Sequence, residues 1–387
     1  MKRTGYIEGY FGRILSHEQR IGILEHLSLL NMNTYLYAPK EDPYHRVQWK
    51  VPYPASEQRV LEELASKGRS LDIDVVPALA PGLSYDYLSD EHYAILLGKF
   101  ERYFEMGITI MALLMDDLVP ELPSTCQGSF NSLGDAHGKL LIRLQSDLRK
   151  VEPTCDLLFC PTVYSDYFVE GEAADSDYIK DLAAIIPDDI PIFWTGDQVV
   201  SETIGESNTG RIRELFKDNL IIWDNYYAND YTPYRIFIGP MLGRDKEFTD
   251  RLTGFMINPT GLYVTDKMLL SLTEEFLRTG ANDLASWRRA TKEFALHPDI
   301  EKVLPYYWSP FTTTDRDFPT AEQAEGLKSF YDEVVVAWQN PLRLEWFQYL
   351  IGLITDLQLL YADYGKTDKW INNYYTGAVT RYLPKRE

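Results

Sequence analysis

An apolar run, Met111-Ala112-Leu113-Leu114-Met115, ends abruptly in two acids, Asp116 and Asp117. Two carboxyls beside a buried strand are costly unless they are solvated, paired or used. Side chains alternate along a strand, so both can reach one cavity only where the strand has ended. Carboxyls brought close split their ionisation, one staying protonated near neutral pH while the other is charged. An acid and an anion are the two groups that cleavage of a glycosidic bond needs. Alone, the dipeptide leaves other uses open. It could cap the next helix, or hold Mg²⁺ with Asp224 as a third carboxylate. The chain shows no His-Glu-x-x-His or calcium-loop pattern, and no metal or cofactor is expected.

Such a pair needs a scaffold. From residue 5 to about 280, short apolar runs alternate with longer amphipathic segments, the rhythm of a parallel α/β fold. The strand-like runs are Tyr6 to Glu8, Thr34 to Tyr37, Val75 to Leu79, Ile108 to Met115, Leu157 to Cys160, Ile192 to Trp194, Leu220 to Trp223 and Gly254 to Ile257. Roughly eight strands close a barrel rather than leave an open sheet. Helical stretches lie between them, for example His17 to Leu30 and Glu57 to Gly68; Ile21, Leu24, Leu27 and Leu30 mark one face of the first. At nearly every run's end the sequence switches to polar, Gly or Pro residues, as in Glu8-Gly9, Ala38-Pro39-Lys40, Asp224-Asn225 and Asn258-Pro259. In a (β/α)8 barrel those ends converge on one face, where the active site lies. No Gly-rich phosphate fingerprint follows any strand, which disfavours a nucleotide-binding open sheet.

The expected organisation is therefore a (β/α)8 barrel over residues 1–285 and a C-terminal α-helical domain over 286–387. In the latter, Leu344, Phe347, Ile351, Ile354, Leu357 and Tyr361 recur at the spacing of one helix face, which permits a homodimer without requiring one. Trp287, Trp308, Trp338, Trp346 and Trp370 cluster there too, after a loop at Ser309 to Pro319, and at such spacing tryptophans generally fill a core.

Composition narrows the partners. The 387 residues carry a formal charge of −20, which repels nucleic acid and anionic lipid and leaves neutral sugars open. No stretch is apolar enough to cross a membrane, and Met1-Lys2-Arg3-Thr4 runs straight into the first strand, so a cytoplasmic location is expected. Three cysteines, Cys126, Cys155 and Cys160, fit a reducing compartment.

Around the acid pair, further motifs follow in order: Gly5-Tyr6-Ile7-Glu8-Gly9-Tyr10-Phe11-Gly12-Arg13; the run from Asn33 to Arg46 containing Ala38-Pro39-Lys40-Glu41-Asp42; Ala80-Pro81-Gly82-Leu83; Phe159-Cys160-Pro161-Thr162-Val163-Tyr164; Phe193-Trp194-Thr195-Gly196; Trp223-Asp224-Asn225-Tyr226-Tyr227-Ala228-Asn229-Asp230; Gly239-Pro240-Met241-Leu242-Gly243-Arg244; and Ile257-Asn258-Pro259. Across about residues 5 to 260 this ordered set resembles the catalytic domain of glycoside hydrolase family 84, which holds the O-GlcNAcases and related β-N-acetylglucosaminidases. The first motif departs from the family's usual Phe-Tyr-Gly-Arg-Pro-Trp, with Ile14-Leu15 at its end, and Glu41 stands where Asp is common; both changes bear on loop shape rather than on the pair.

The resemblance implies a retaining exo-β-N-acetylglucosaminidase that uses the substrate's own acetamide oxygen as nucleophile and forms an oxazoline. Asp116 matches the residue that orients the acetamide N–H, and Asp117 matches the general acid and base. Asp230 matches the acid on the 4- and 6-hydroxyls. Lys40, Asn258 and the Gly9 carbonyl match groups along the 3- and 4-hydroxyl edge. Asn225 matches an amide near the acetamide, while Tyr164 and Trp223 match the aromatics enclosing it. Implied substrates are GlcNAc-bearing glycoproteins, peptides or oligosaccharides. A non-catalytic GlcNAc-binding barrel and a metal-dependent hydrolase on the same Asp cluster are the alternatives.

Overall fold

The computed structural model describes residues 2–232, 234–311 and 330–362. Eight parallel strands close into a barrel: β1 (Arg3–Glu8), β2 (Thr34–Tyr37), β3 (Asp74–Leu79), β4 (Ile110–Leu114), β5 (Asp156–Cys160), β6 (Ile192–Trp194), β7 (Leu220–Asp224) and β8 (Gly254–Ile257). They pair in sequence order, and β8 closes on β1 with Gly254 opposite Arg3. The strand centres are apolar because a parallel barrel buries both faces, one against the interior and one against helices. The expected (β/α)8 architecture is present, with strand spans within three residues of those read from the apolar runs.

Between the strands lie α1 (His17–Leu29), α2 (Ala55–Ser70), α3 (Asp90–Glu105), α4 (Leu133–Val151), α5 (Asp177–Ile185), α6 (Glu206–Leu215) and α7 (Lys246–Asp250). Several start on a serine whose hydroxyl accepts an orphan N–H: Ser16 with Gln19 in a capping box for α1, Ser89 for α3, Ser132 for α4 and Ser176 for α5. Each such cap is worth about 1 kcal/mol. Helices α4 and α5 approach so closely that a Cβ at Gly134 would lie 1.9 Å from the Tyr178 carbonyl oxygen.

At the end of β1, Glu8 is fully buried, yet every demand of its charge is met. Arg20 donates twice, at 2.8 and 2.9 Å, the Tyr35 hydroxyl donates at 2.5 Å and the Leu15 N–H at 3.2 Å. Glu8 thus ties α1 and the first loop to the barrel wall and belongs to the scaffold.

Two compact units emerge, Met1–Asn225 with Gly243–Gly261, and Tyr226–Leu242 with Leu262–Glu387. The boundary expected at 285/286 falls inside the second unit, which contains α8 (Tyr263–Thr279), α9 (Leu284–Ala290), α10 (Ile300–Tyr307), a π-helical turn at Tyr331–Val336 and α11 (Pro341–Ala362). Helix α8 belongs there for a local reason. Glu345 of α11 accepts from the N–H groups of Val264 and Thr265 at 2.9 and 2.8 Å, supplying the anionic cap that α8 lacks in its own sequence. Trp346 adds an Nε1–H bond to the Thr265 hydroxyl at 2.8 Å.

Trp287, Trp338 and Trp346 are buried, as their spacing suggested, whereas Trp308 is half-buried. The face expected on α11 lies on its exposed side: Leu344 is 73% and Phe347 42% exposed, whereas Leu342, Trp346, Tyr349, Leu350 and Leu353 are the buried residues among the described side chains of this helix. This helix is apolar nearly all round, so spacing alone selects no unique inner face. The side chains of Ile354, Leu357 and Tyr361, together with Trp370 and the loop beyond Phe311, lie outside the described residues.

Candidate active site

The barrel interior draws alternate residues from its strands: Leu36 and Ala38, Ala112 and Leu114, Ile221 and Trp223, with Ile7 and Met256 from β1 and β8. Continuing each row by two residues gives Lys40, Asp116, Asn225, Gly9 and Asn258. Most of the expected site residues are thus the next inward-facing positions beyond the strand ends, converging on the C-terminal mouth.

Asp117 breaks that rule. Alternation would turn it away from Asp116, but β4 ends at Leu114 and Asp117 adopts φ +56°. This left-handed conformation costs a non-glycine residue about 1 kcal/mol, least for Asn and Asp, and it swings the second carboxyl back towards the first. Both acids then meet one cation. The Lys40 ammonium forms a short ion pair with Asp116 Oδ2 and lies 3.5 Å from Asp117 Oδ2. Arg46 Nη2 stands 3.6 Å from that same Asp117 oxygen, and the Tyr164 hydroxyl donates to Asp117 Oδ1 at 3.1 Å.

Their environments differ. The side chain of Asp116 is 9% exposed and that of Asp117 31%. Burial opposes the charge on Asp116, but the Lys40 ammonium outweighs it, with help from Arg46, and holds the carboxyl below its ordinary range. Lys40 is subject to the same opposition: burial disfavours its charge, Asp116 and Asp117 restore it, and its pKa stands above the ordinary value. One atom is left over. Asp116 Oδ1 is buried and has no hydrogen-bond partner among the described residues. An ionised carboxylate oxygen in that condition is expensive unless a donor completes it.

A wall of aromatic and amide groups stands in the same unit. Trp223 donates its Nε1–H to Asn225 Oδ1 at 3.0 Å, Asn258 Nδ2 donates to the same oxygen at 2.9 Å, and the Gly9 N–H donates to Asn258 Oδ1 at 3.2 Å. Asn225 Nδ2 donates to the Val199 carbonyl at 2.8 Å. Gly9 is required here, since a Cβ would sit 2.6 Å from the Trp223 ring. Burial, with Asp117 beside it, pushes the Tyr164 phenol well above its usual range, so it serves as a neutral donor.

The loop carrying Lys40 is held by a set of buried polar and aromatic groups. Asp42 is buried and accepts from the hydroxyls of Tyr37 and Tyr53 at 3.0 and 2.9 Å and from the N–H groups of Tyr44 and His45. Lys99 of α3 donates to the carbonyls of Tyr44 and Val51. His45 binds the Ala78 carbonyl through Nδ1 at 2.8 Å, and burial, reinforced by Lys40, lowers its pKa to about 4. The variant Glu41 accepts from the Gly12 N–H at 2.7 Å and joins the two loops. Phe11 lies under both Lys40 and Arg46, 5.6 and 5.5 Å from its ring centre. Periodicity marks none of these except as neighbours of Lys40.

Other readings of the acids lose their footing. Helix α4 is capped by Ser132, far along the chain from the pair. Asp224 is 1% exposed and locked in a two-bond pair with Arg244, both bonds 2.8 Å, while Arg244 also donates to the Ser201 and Glu202 carbonyls. It is thus committed to the scaffold. Asp230 lies in the second unit, half-buried, with Oδ1 accepting from the Tyr231 N–H at 2.9 Å.

Comparison with known proteins agrees with this geometry. Residues 4–305 match the family described as beta-N-acetylglucosaminidase. Protein O-GlcNAcase of Rattus norvegicus and that of Mus musculus are each 32% identical over 255 residues, 66% of this chain. That stretch spans 28% of the length of these relatives. The fold is similar to that of a mutant O-GlcNAc hydrolase from Thermobaculum terrenum, with a TM-score of 0.82 at 23% identity, covering 98% of this chain and 87% of the other. From the first barrel strand into the helices beyond the last one, the chain belongs to the β-N-acetylglucosaminidase family of glycoside hydrolases, family 84.

Proposed function

We propose that this chain removes terminal β-linked GlcNAc with retention of configuration, as an O-GlcNAcase-type hydrolase working by substrate assistance. The observation that carries the reading is the uneven pair: Asp116 kept as an anion by Lys40 with Oδ1 unpartnered among the described residues, beside a more exposed Asp117. In this reading Asp116 Oδ1 accepts the acetamide N–H. As that bond strengthens, the acetamide oxygen forms its bond to C1 while the bond from C1 to the leaving oxygen breaks. Asp117 gives its proton to the leaving oxygen. Water then attacks C1, the oxazoline ring opens, and the water's proton returns to Asp117. Positive charge develops on the acetamide only in the transition state, which is where a fixed anion lowers the barrier.

Tyr164 and Trp223 supply walls for the acetamide, and Tyr164 also aims Asp117. Lys40, Asn225, Asn258 and Gly9 line the sugar's polar edge in this reading, and the resemblance assigns Asp230 the 4- and 6-hydroxyls. A dimer through α11 is part of the proposal, with the outward Leu344 and Phe347 as its contact, as is a cytoplasmic setting compatible with three buried free cysteines. The test is hydrolysis of an aryl β-N-acetylglucosaminide by wild type, Asp116→Asn and Asp117→Asn. Asp116→Asn should lose on the order of 10² or more in kcat on the aryl glycoside. General acid catalysis contributes about 10²–10⁴-fold where the leaving group is not activated, so Asp117→Asn should lose as much on a methyl glycoside. Equal rates for all three proteins, or no turnover by the wild type, would refute the proposal.

A further inference from the structure

We infer that Thr162, Tyr178 and His137 form a positioning relay that holds the turn by which Asp117 leaves β4, an inference that rests on the role proposed for Asp117. Met115 precedes the pair and is gripped on both its backbone groups. Its N–H donates to the Cys160 carbonyl at 2.8 Å, and its carbonyl accepts from the Thr162 hydroxyl at 2.6 Å. Thr162 is itself fixed, because its N–H donates to the Tyr178 hydroxyl oxygen at 2.9 Å. That oxygen lies 2.7 Å from His137 Nδ1, and His137 Nε2 lies 2.6 Å from the Tyr87 hydroxyl.

His137 is fully buried, and burial lowers its pKa to about 3, so the ring is neutral at ordinary pH. A neutral imidazole offers one donor and one acceptor, which satisfies the two phenols without a net charge. An apolar trio would fill the space between α4 and α5 without the desolvation cost of this polar chain. The chain's particular feature is where it ends, on the carbonyl two residues before the left-handed Asp117. A sparsely populated conformation persists only when its surroundings over-determine it. The relay supplies that constraint, and none of its members touches the sugar in the proposed reaction.

The consequence is selective. Misplacing an acid by about 1 Å can cost on the order of 10²-fold, but only where the leaving oxygen needs its proton. Kinetics of wild type, Thr162→Val, Thr162→Ser and Tyr178→Phe on β-GlcNAc glycosides from nitrophenyl to methyl read this out. Thr162→Val keeps the backbone bond to Tyr178 and loses only the hydroxyl. It and Tyr178→Phe should lower kcat/KM on the methyl glycoside by about 30-fold or more and on the nitrophenyl glycoside by less than about 3-fold. Thr162→Ser should recover most of the loss. Losses equal across the series, no loss at all, or Ser as impaired as Val would overturn the relay; should Tyr178→Phe fail to fold, the Thr162 pair decides. No turnover of any glycoside by the wild type would instead overturn the glycosidase reading, and the relay with it.

Discussion

Burial at Asp116 disfavours negative charge, and a lysine at contact distance reverses the balance. The sign of the pH response follows. In the folded chain Asp116 binds its proton less readily than in the unfolded chain, so its contribution to stability is present above the unfolded value of about 3.9 and is lost as pH falls through the lower folded one. Replacing Lys40 by Met removes the favourable partner and leaves the burial. The Asp116 carboxyl should then titrate above the usual carboxylate range, moving the acidic limb of kcat/KM upward, and stability should fall by about 3–5 kcal/mol, as when one partner of a buried ion pair is deleted. A pH–rate profile beside a urea titration checks both; an unmoved acidic limb contradicts the assignment. Asp116 was legible as an acid ending an apolar run, whereas Lys40, Asn225 and Asn258 were singled out by the family resemblance; in the structure each of the four continues an alternating strand row. The turn of Asp117 was not legible, since an aspartate at φ +56° carries none of the signal that a glycine would give there. Arg46 and Phe11 were hidden for another reason: they meet the acids and Lys40 through loop folding, which no periodicity records.

At the level of elements, apolar runs located all eight strands because in a parallel barrel burial and strand coincide. On α11 spacing says less, because apolar residues lie on every side, and the face it picks out is the exposed one at Leu344 and Phe347. Helix joints can be tested one at a time. Gly134→Ala places a methyl 1.9 Å from the Tyr178 carbonyl oxygen, so α4 and α5 must separate. The loss should be about 1–3 kcal/mol, seen as a lower Tm, and it should grow with side-chain size at this position. Glu345→Gln weakens the cap on α8 and should cost about 1 kcal/mol. His45 and His137, with pKa values of about 4 and about 3, are neutral when folded and take up protons on unfolding once pH drops below about 6.5. Their stability contribution is therefore lost as pH falls from there towards their folded values. Imidazole NMR signals of the folded protein should show two histidines that do not titrate above pH 5 or so; titration of all six near 6.5 would contradict the burial described here.

For the whole molecule, the sequence carries a formal charge of −20, while Lys40 and Arg46 stand beside Asp117. Among the described residues no helix is long and apolar enough to cross a membrane. A long-range negative field leaves neutral aryl glycosides untouched but opposes approach of acidic glycopeptides, and salt screens it over about 10 Å at 0.1 M. Raising ionic strength from about 20 to 200 mM should raise kcat/KM for an acidic GlcNAc-peptide several-fold and leave an aryl glycoside within experimental scatter; equal responses would show that the field plays no part. In the proposed reaction the sugar's acetamide, steered by Asp116, is the nucleophile. Successive fluorination of that acetamide withdraws electrons from its oxygen and changes little else. The kcat/KM of nitrophenyl glycosides bearing none to three fluorines should fall steeply and monotonically, whereas a flat series would mean that a protein group or water attacks C1 directly.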